Sequence, residues 1–328
     1  MSDTSPNQPL VSILINNYNY GRFLGKAIES ALRQTYKNIE VIVVDDGSTD
    51  HSSEVIAKYA GSIIAIEKEN GGQPTAFNAG FARSQGDIVC FLDADDLFLP
   101  HKVQTVVNIF HQQPFAAWCF DRVVQFDDST GDRRVPASKW KSGLWDERRN
   151  MCVKGVAPNI PTATSGLSFR REMLHRIFPM PEFPIATDGY LKLVAVGLEQ
   201  GWMEPQELTL QRIHAENIFT GKTTGKRGLL GLTGILLGRE LYDRVPQLRR
   251  LGITSFARGF GICRVSQPVC PDYQPFALEF LQRMNFSTKL KIYGQAVWAA
   301  VRALLSTPEQ RTQTMQHSAL EPLPDFKA

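Results

Sequence analysis

The first hundred residues alternate short apolar runs with stretches whose apolar positions recur three and four apart. Residues 10–16, 39–44, 63–67 and 87–92 are apolar runs that read as strands, and the segments 21–34, 52–60 and 74–84 between them read as helices. In the first of these helices Phe23, Leu24, Ala27, Ile28, Ala31 and Leu32 form one stripe. Thr49 or Asp50 is placed to cap the second. Strands apolar on both faces, joined by helices through short links, predict a mostly parallel α/β sheet with right-handed crossovers. Ligands of such sheets bind beyond the carboxyl ends of the strands.

Beyond residue 100 the rhythm changes. A helix is expected over 101–112, a strand over 115–126, and a polar loop over 127–150. A helical run from Tyr190 to Leu198 follows the Pro-rich stretch at Pro179, Pro181 and Pro184. Residues 220–328 read as mainly helical, with candidates at 229–245 and 288–305. The expected division is a flexible N-terminus over 1–9, an α/β domain over 10–219 and a helical region over 220–328, whose last twenty residues fray.

Composition narrows the class. The 328 residues are 43% hydrophobic and 21% charged, the balance of a globular protein with a sizeable core. The polar start of the chain predicts no secretory leader. No run reaches the ~20 apolar residues that a membrane span needs. The five cysteines (Cys90, Cys119, Cys152, Cys263 and Cys270) are scattered, which disfavours a zinc site or disulfide framework and favours a reducing cytoplasm. Charge is uneven: residues 220–328 hold 15 Lys/Arg against 7 Asp/Glu, and the rest holds 21 against 26. A basic tail on an acidic body suggests an anionic partner, with the inner face of a membrane as one setting. Nothing in the pattern calls for nucleic acid.

The candidate chemistry sits at the strand ends. FLDADD (91–96) places Asp93, Asp95 and Asp96 together just after a buried strand. Carboxylates so crowded repel one another and lose hydration unless a cation sits among them. A divalent ion with a bound phosphate is the usual answer, whereas a bare D-x-D is more often a solvated acidic loop.

Several further blocks decide between these. VSILINNYN (11–19), VIVVDDGSTD (41–50) and NGGQPTAFNAGFARSQGDIVCFLDADD (70–96), followed by TSGLSFRRE (164–172), ATDG (186–189) and QRIHAEN (211–217), resemble the family 2 glycosyltransferases with the GT-A fold. The resemblance spans about residues 8–217. It implies an inverting, metal-dependent transfer of a sugar from a nucleoside diphosphate donor, UDP- or dTDP-linked, to a hydroxyl of a glycan or lipid-linked acceptor. Synthesis of a surface polysaccharide or glycoconjugate is the implied setting.

Residue roles follow from the resemblance and agree with side-chain chemistry. Tyr18 offers a flat face to the base, Asp46 an acceptor for a base N–H, and Asn16 lies nearby. Asp45 is suited to closing its own turn. Asp93 is expected on the ribose side and Asp95 as ligand of Mg2+ or Mn2+, while Asp96 secures the loop by capping the segment from Pro100. Asp188 is the candidate base, since the start of a helix favours a carboxylate, and an ordinary N-cap is the plain alternative. His214 would complete the metal shell, and Arg212 would grip the diphosphate. Thr187 stands where the family usually has a Glu, and Asn16 where it usually has a Pro. Phe77 replaces a frequent Arg, so a cation often found near the diphosphate is missing; Arg83 lies six residues on, and Gln73 could supply polar contacts. GGQPT (71–75) reads as a turn that brings backbone near the donor, although it lacks a phosphate-loop signature.

Two other functions are weighed. A sugar nucleotidyltransferase would carry a Gly-rich, cationic loop right after the first strand, where this chain has Asn-Asn-Tyr-Asn-Tyr-Gly-Arg. A nucleotide-sugar-binding protein that had lost catalysis would not be expected to keep the full set of carboxylates. The helix at 288–305 has Lys289, Lys291 and Arg302 beside an apolar stripe, and is expected either to pack on the catalytic domain or to touch a membrane surface.

Overall fold

The structure, a computed structural model, describes residues 8–136, 142–182, 187–214, 226–266, 273–305 and 315–316. Four parallel strands open it: β1 (Val11–Asn17), β2 (Ile39–Asp45), β3 (Ile64–Glu67) and β4 (Ile88–Asp93), in spatial order β4-β1-β2-β3. The crossovers are α1 (Gly21–Leu32), α2 (Ser52–Ala57) and α3 (Gln73–Arg83). Successive side chains of a strand point to opposite faces, and the sheet is buried on both. Ile13, Ile15, Val41 and Val43 face α1 and α2, while Leu14, Ile42 and Val44 pack with Ala76, Phe77 and Phe81 of α3. The first hundred residues therefore follow their pattern closely.

The sheet then turns mixed. β5 (Leu97–Phe98) and α4 (Lys102–Gln112) lead to β6 (Trp118–Asp127), β7 (Arg133–Pro136) and β8 (Gly143–Trp145). β9 (Leu167–Arg170) sits antiparallel between β4 and β6. After α5 (Arg171–His175) and α6 (Thr187–Leu198), the long β10 (Gly201–Ile213) pairs parallel with β6 and antiparallel with β5 and β8. The expected loop over 127–150 therefore holds two strands, β7 and β8. Both are short and are defined by their pairing partners, so no apolar run announces them.

The C-terminal region is helical: α7 (Lys226–Arg244), α8 (Arg249–Val265), α9 (Tyr273–Gln282) and α10 (Phe286–Leu305), with the two-residue β11 (Met315–Gln316) beside β7. The glycines that interrupt the apolar pattern of α7 are what pack it against α8. A Cβ on Gly238 would lie 2.5 Å from the Phe256 nitrogen, and one on Gly259 would run into the Gly231 carbonyl oxygen. Leu241, Val245, Leu248 and Leu251 join the core beneath the sheet, so this region shares buried surface with the α/β part. Most of the last twenty residues, and Cys270, lie outside the described residues.

Candidate active site

The parallel register brings the chemistry to one edge. Asn17 pairs with Asp45 and Asn16 with Asp93, so the ends of β1, β2 and β4 lie side by side. Asp45 closes its own turn, accepting from the Ser48 amide at 3.1 Å and the Ser48 hydroxyl at 2.6 Å. Asn17 Nδ2 donates to the same carboxylate at 2.6 Å. The cap position of α2 falls on His51 rather than on Thr49 or Asp50. Asp50 accepts from the Ser52 amide and also from the Gly21 amide at the start of α1, tying the two helix starts together. Tyr18, next in the chain, is 47% exposed and offers its ring at the strand end.

Asp46 is nearly buried and already occupied. Its carboxylate accepts from Lys68 Nζ at 2.5 Å and from the amides of Gly71 and Gly72 at 3.1 and 2.7 Å. The glycines permit this arrangement: Gly47 and Gly72 both have positive φ, and a Cβ on Gly47 would lie 2.7 Å from the Asn70 nitrogen. The amides of GGQPT that resemble a phosphate cradle thus bond Asp46. Lys68, besides pairing with Asp46, reaches the Thr75 hydroxyl at 2.9 Å. Phe77 itself is buried against Phe91. Arg83 lies exposed at the far end of α3 from Gln73.

Around FLDADD the three carboxylates divide. Asp93 accepts from Gln73 Nε2 at 2.9 Å. Burial, then the charges of Asp95 and Asp188, pushes the Asp93 carboxyl up to about 7, against hydrogen bonds from Thr164 and Asn16 that lower it. Asp188 therefore lies close enough to raise the Asp93 carboxyl, although it arrives from the first turn of α6. Its carboxylate is held by Lys192 Nζ at 2.7 Å, and Lys192 also donates to the Thr162 carbonyl. α6 starts at Thr187, so Asp188 sits inside the helix rather than at its cap.

Asp96 does secure the loop, by a route other than capping Pro100. It accepts from the Ser165 hydroxyl at 2.6 Å and the Arg212 amide at 2.9 Å. Burial, then Asp95 and Asp93, raises its carboxyl well above the usual range. The Ser165 hydroxyl in turn accepts from the Asp93 amide at 3.0 Å. Behind it, the wholly buried Lys102 pairs with Asp121 and donates to the Ser165 carbonyl at 2.8 Å and the Thr209 hydroxyl at 3.0 Å.

β10 delivers the last pair. His214 Nε2 lies 3.1 Å from Asp95 Oδ2, with its ring against Tyr20 and Phe23. Arg212 is committed to its surroundings. Its guanidinium stacks over Phe23 and Phe126, donates to the Asp95 carbonyl and pairs with Asp128. That geometry positions the Asp95 backbone through Nε, with Nη1 on Asp128. Residues 186 and 215–217 of the flanking segments lie outside the described residues.

The donor set fits a divalent cation in an open site. Among the described residues no group of three or more His, Cys, Asp or Glu encloses a metal. An ion that keeps waters and substrate phosphates needs only one or two carboxylates, and the mutual repulsion of Asp93, Asp95 and Asp188 is what such an ion relieves. Lys68, Ser165, Lys102, Asp121 and Lys192 were not singled out by sequence. Ser165 lies within TSGLSFRRE, and that segment was the available signal.

Comparison with known proteins gives the family. The family model for Glycosyl transferase family 2 matches residues 12–178. An uncharacterized glycosyltransferase of Nostoc sp. is 37% identical over 215 residues, covering 63% of this chain and 66% of that one. The chain spans less than two thirds of the length of the curated relatives it matches. Residues 1–349 of TarS from Staphylococcus aureus, solved with UDP-GlcNAc, superpose with a TM-score of 0.57 at 15% identity, covering 88% of this chain and 81% of that one. The mannosyltransferase PcManGT of Pyrobaculum calidifontis, solved with GDP-Man and Mn2+, gives 0.50 at 16% identity, over 92% and 88%. Both structures have the GT-A fold, with its mixed, mostly parallel sheet, and by its sequence this chain belongs to glycosyl transferase family 2.

Proposed function

We propose that the protein is an inverting, metal-dependent glycosyltransferase that takes a UDP- or dTDP-linked sugar and passes it to a hydroxyl of a glycan or lipid-linked acceptor. The observation that carries this reading is Asp93 at the strand ends, close enough to Asp95 and Asp188 for both charges to raise it, with His214 on Asp95. Exposed Tyr18 supports a stacked base. Asn16 Oδ1, buried and without a hydrogen-bond partner among the described residues, supports a ribose or sugar hydroxyl as its missing donor. Asp46 contributes by shaping the Gly71–Gly72 loop around the base rather than by a free carboxylate.

Asp95 and His214 would hold Mg2+ or Mn2+, which supplies charge stabilisation to a departing diphosphate. Asp188 accepts the proton of the incoming hydroxyl as that oxygen bonds to the sugar carbon. The bond from that carbon to the diphosphate oxygen breaks, and its electron pair leaves with the diphosphate. Lys192 holds the Asp188 carboxylate in place for this step. Asp93 and Gln73 orient the donor, and Arg212 positions the loop. A cytoplasmic site of action, with peripheral membrane contact through the basic C-terminal region, completes the reading. Transfer assays over a panel of UDP-, dTDP- and GDP-sugars test it. Asp188→Ala and Asp95→Ala should abolish transfer in chains that keep native circular dichroism, and full activity in both would refute the assignment.

A further inference from the structure

α10 has two apolar faces, and among the described residues only one is packed. Ile292, Ala296 and Ala299 are buried toward the helical bundle, where Gly261 of α8 comes so close that a Cβ there would run into the Ala296 carbonyl oxygen. The other face carries Phe286, Leu290, Tyr293, Val297, Val301 and Leu304, at successive spacings of 4, 3, 4, 4 and 3 residues. All six are exposed, Phe286 at 82% and Leu290 at 64%. At 3.6 residues per turn these spacings form one continuous outward stripe. Trp298, 63% exposed, borders it.

Charge selects the occupant. The same helical geometry puts Lys289 on one flank of the stripe and Lys291 and Arg302 on the other, and Arg302 lies over the Trp298 ring at 5.2 Å. The helix contains no acidic residue. A second copy docked face to face, in either direction, would bring these cations against cations. Long cationic side chains along both edges of an apolar stripe, with Trp and Tyr beside it, are instead suited to a layer whose interior is apolar and whose surface is anionic. Among the described residues no helix is long and apolar enough to cross a membrane.

We infer that α10 is a membrane-surface helix, lying in the headgroup region of an anionic bilayer with the Phe286–Leu304 stripe immersed and Lys289, Lys291 and Arg302 at the phosphates. This deepens the membrane contact proposed above and is independent of the sugar-transfer reading, because vesicle binding and transfer are measured separately.

Co-sedimentation of the full chain with vesicles tests it, comparing phosphatidylcholine alone with mixtures containing phosphatidylglycerol. Binding should favour the anionic vesicles and weaken as salt rises. Changing Lys289, Lys291 and Arg302 to Gln should weaken it by on the order of fivefold per cation. Leu290→Ser with Val297→Ser should remove most of the remainder while leaving the melting temperature near that of the native chain, since both side chains are exposed. Equal binding to neutral and anionic vesicles would overturn the proposal, as would binding unchanged in the double Ser variant. A dimer seen by light scattering that dissociates in that variant would overturn it in favour of a second copy.

Discussion

His214 Nε2 lies 3.1 Å from Asp95 Oδ2, joining the end of β10 to the loop after β4 across 119 residues of chain. That bond helps to fix the direction in which the D-x-D loop presents its carboxylate. In the proposed site His214 is both a ligand of the metal and the partner of Asp95, and losing even the outer partner of a ligand typically costs ~10–100-fold in metal affinity or activity. His214→Ala should therefore lower transfer by about that factor and shift the Mn2+ requirement to higher concentration, as read from initial rates across a Mn2+ series.

Ser165→Ala should act on the same loop from the other side. It removes both the donor to Asp96 and the acceptor of the Asp93 amide. The buried partners left unsatisfied predict a loss of about 1–3 kcal/mol in urea unfolding. The apparent KM for the donor should rise more than that for the acceptor, because Asp93 lies on the proposed donor side.

The Lys102–Asp121 pair behind Ser165 is wholly buried. Breaking such a pair from one side typically costs about 3–5 kcal/mol, and removing both charges costs far less than the two single changes together. Lys102→Met should therefore be more destabilising than Lys102→Met combined with Asp121→Leu, as measured by a denaturant double-mutant cycle.

A pH dependence follows for the single variant. Burial raises the Asp121 carboxyl, and Lys102 opposes that rise. With Lys102 gone the folded value stands further above the unfolded one. A carboxyl raised on folding favours the native state while protonated, so that stability is present below the unfolded pKa and lost as pH rises through the folded pKa. The melting temperature of Lys102→Met should fall relative to the native chain on going from acidic to neutral pH.

Glycine contacts between α7 and α8 give a contrasting pair. A side chain at Gly259 would meet the Gly231 carbonyl oxygen and the Ile235 nitrogen, both backbone atoms with little room to yield. Gly259→Val should destabilise by about 1–3 kcal/mol or more. At Gly294 of α10 an added Cβ would meet nothing within 4 Å, and Gly294→Ala should stabilise by about 0.5–1 kcal/mol through helix propensity. Thermal melting of the two variants checks both signs.

Much of the α/β part is legible in sequence because contiguous apolar runs mark its strands, and parallel register then carries Asn16, Asp45 and Asp93 to one edge. Family resemblance is what singles out Asp188 and His214, which local pattern alone would leave as a helix cap and a structural histidine. Lys68, Ser165 and the Lys102–Asp121 pair escape because their roles arise from partners far along the chain. Asp121 lies in an apolar run that reads as plain strand, and Lys102 in an ordinary amphipathic helix. β7 and β8 escape because strand pairing, not hydrophobicity, defines them. The glycines of α7 look like interruptions until α8 is beside them.

Calorimetric titration of UDP into the native chain and into Asp95→Asn, each with and without Mn2+, tests most directly whether this carboxylate joins metal to donor. Mn2+ should tighten UDP binding to the native chain, and that gain should vanish in Asp95→Asn while metal-free binding persists. An undiminished Mn2+ gain in Asp95→Asn, or no gain in the native chain, would contradict it.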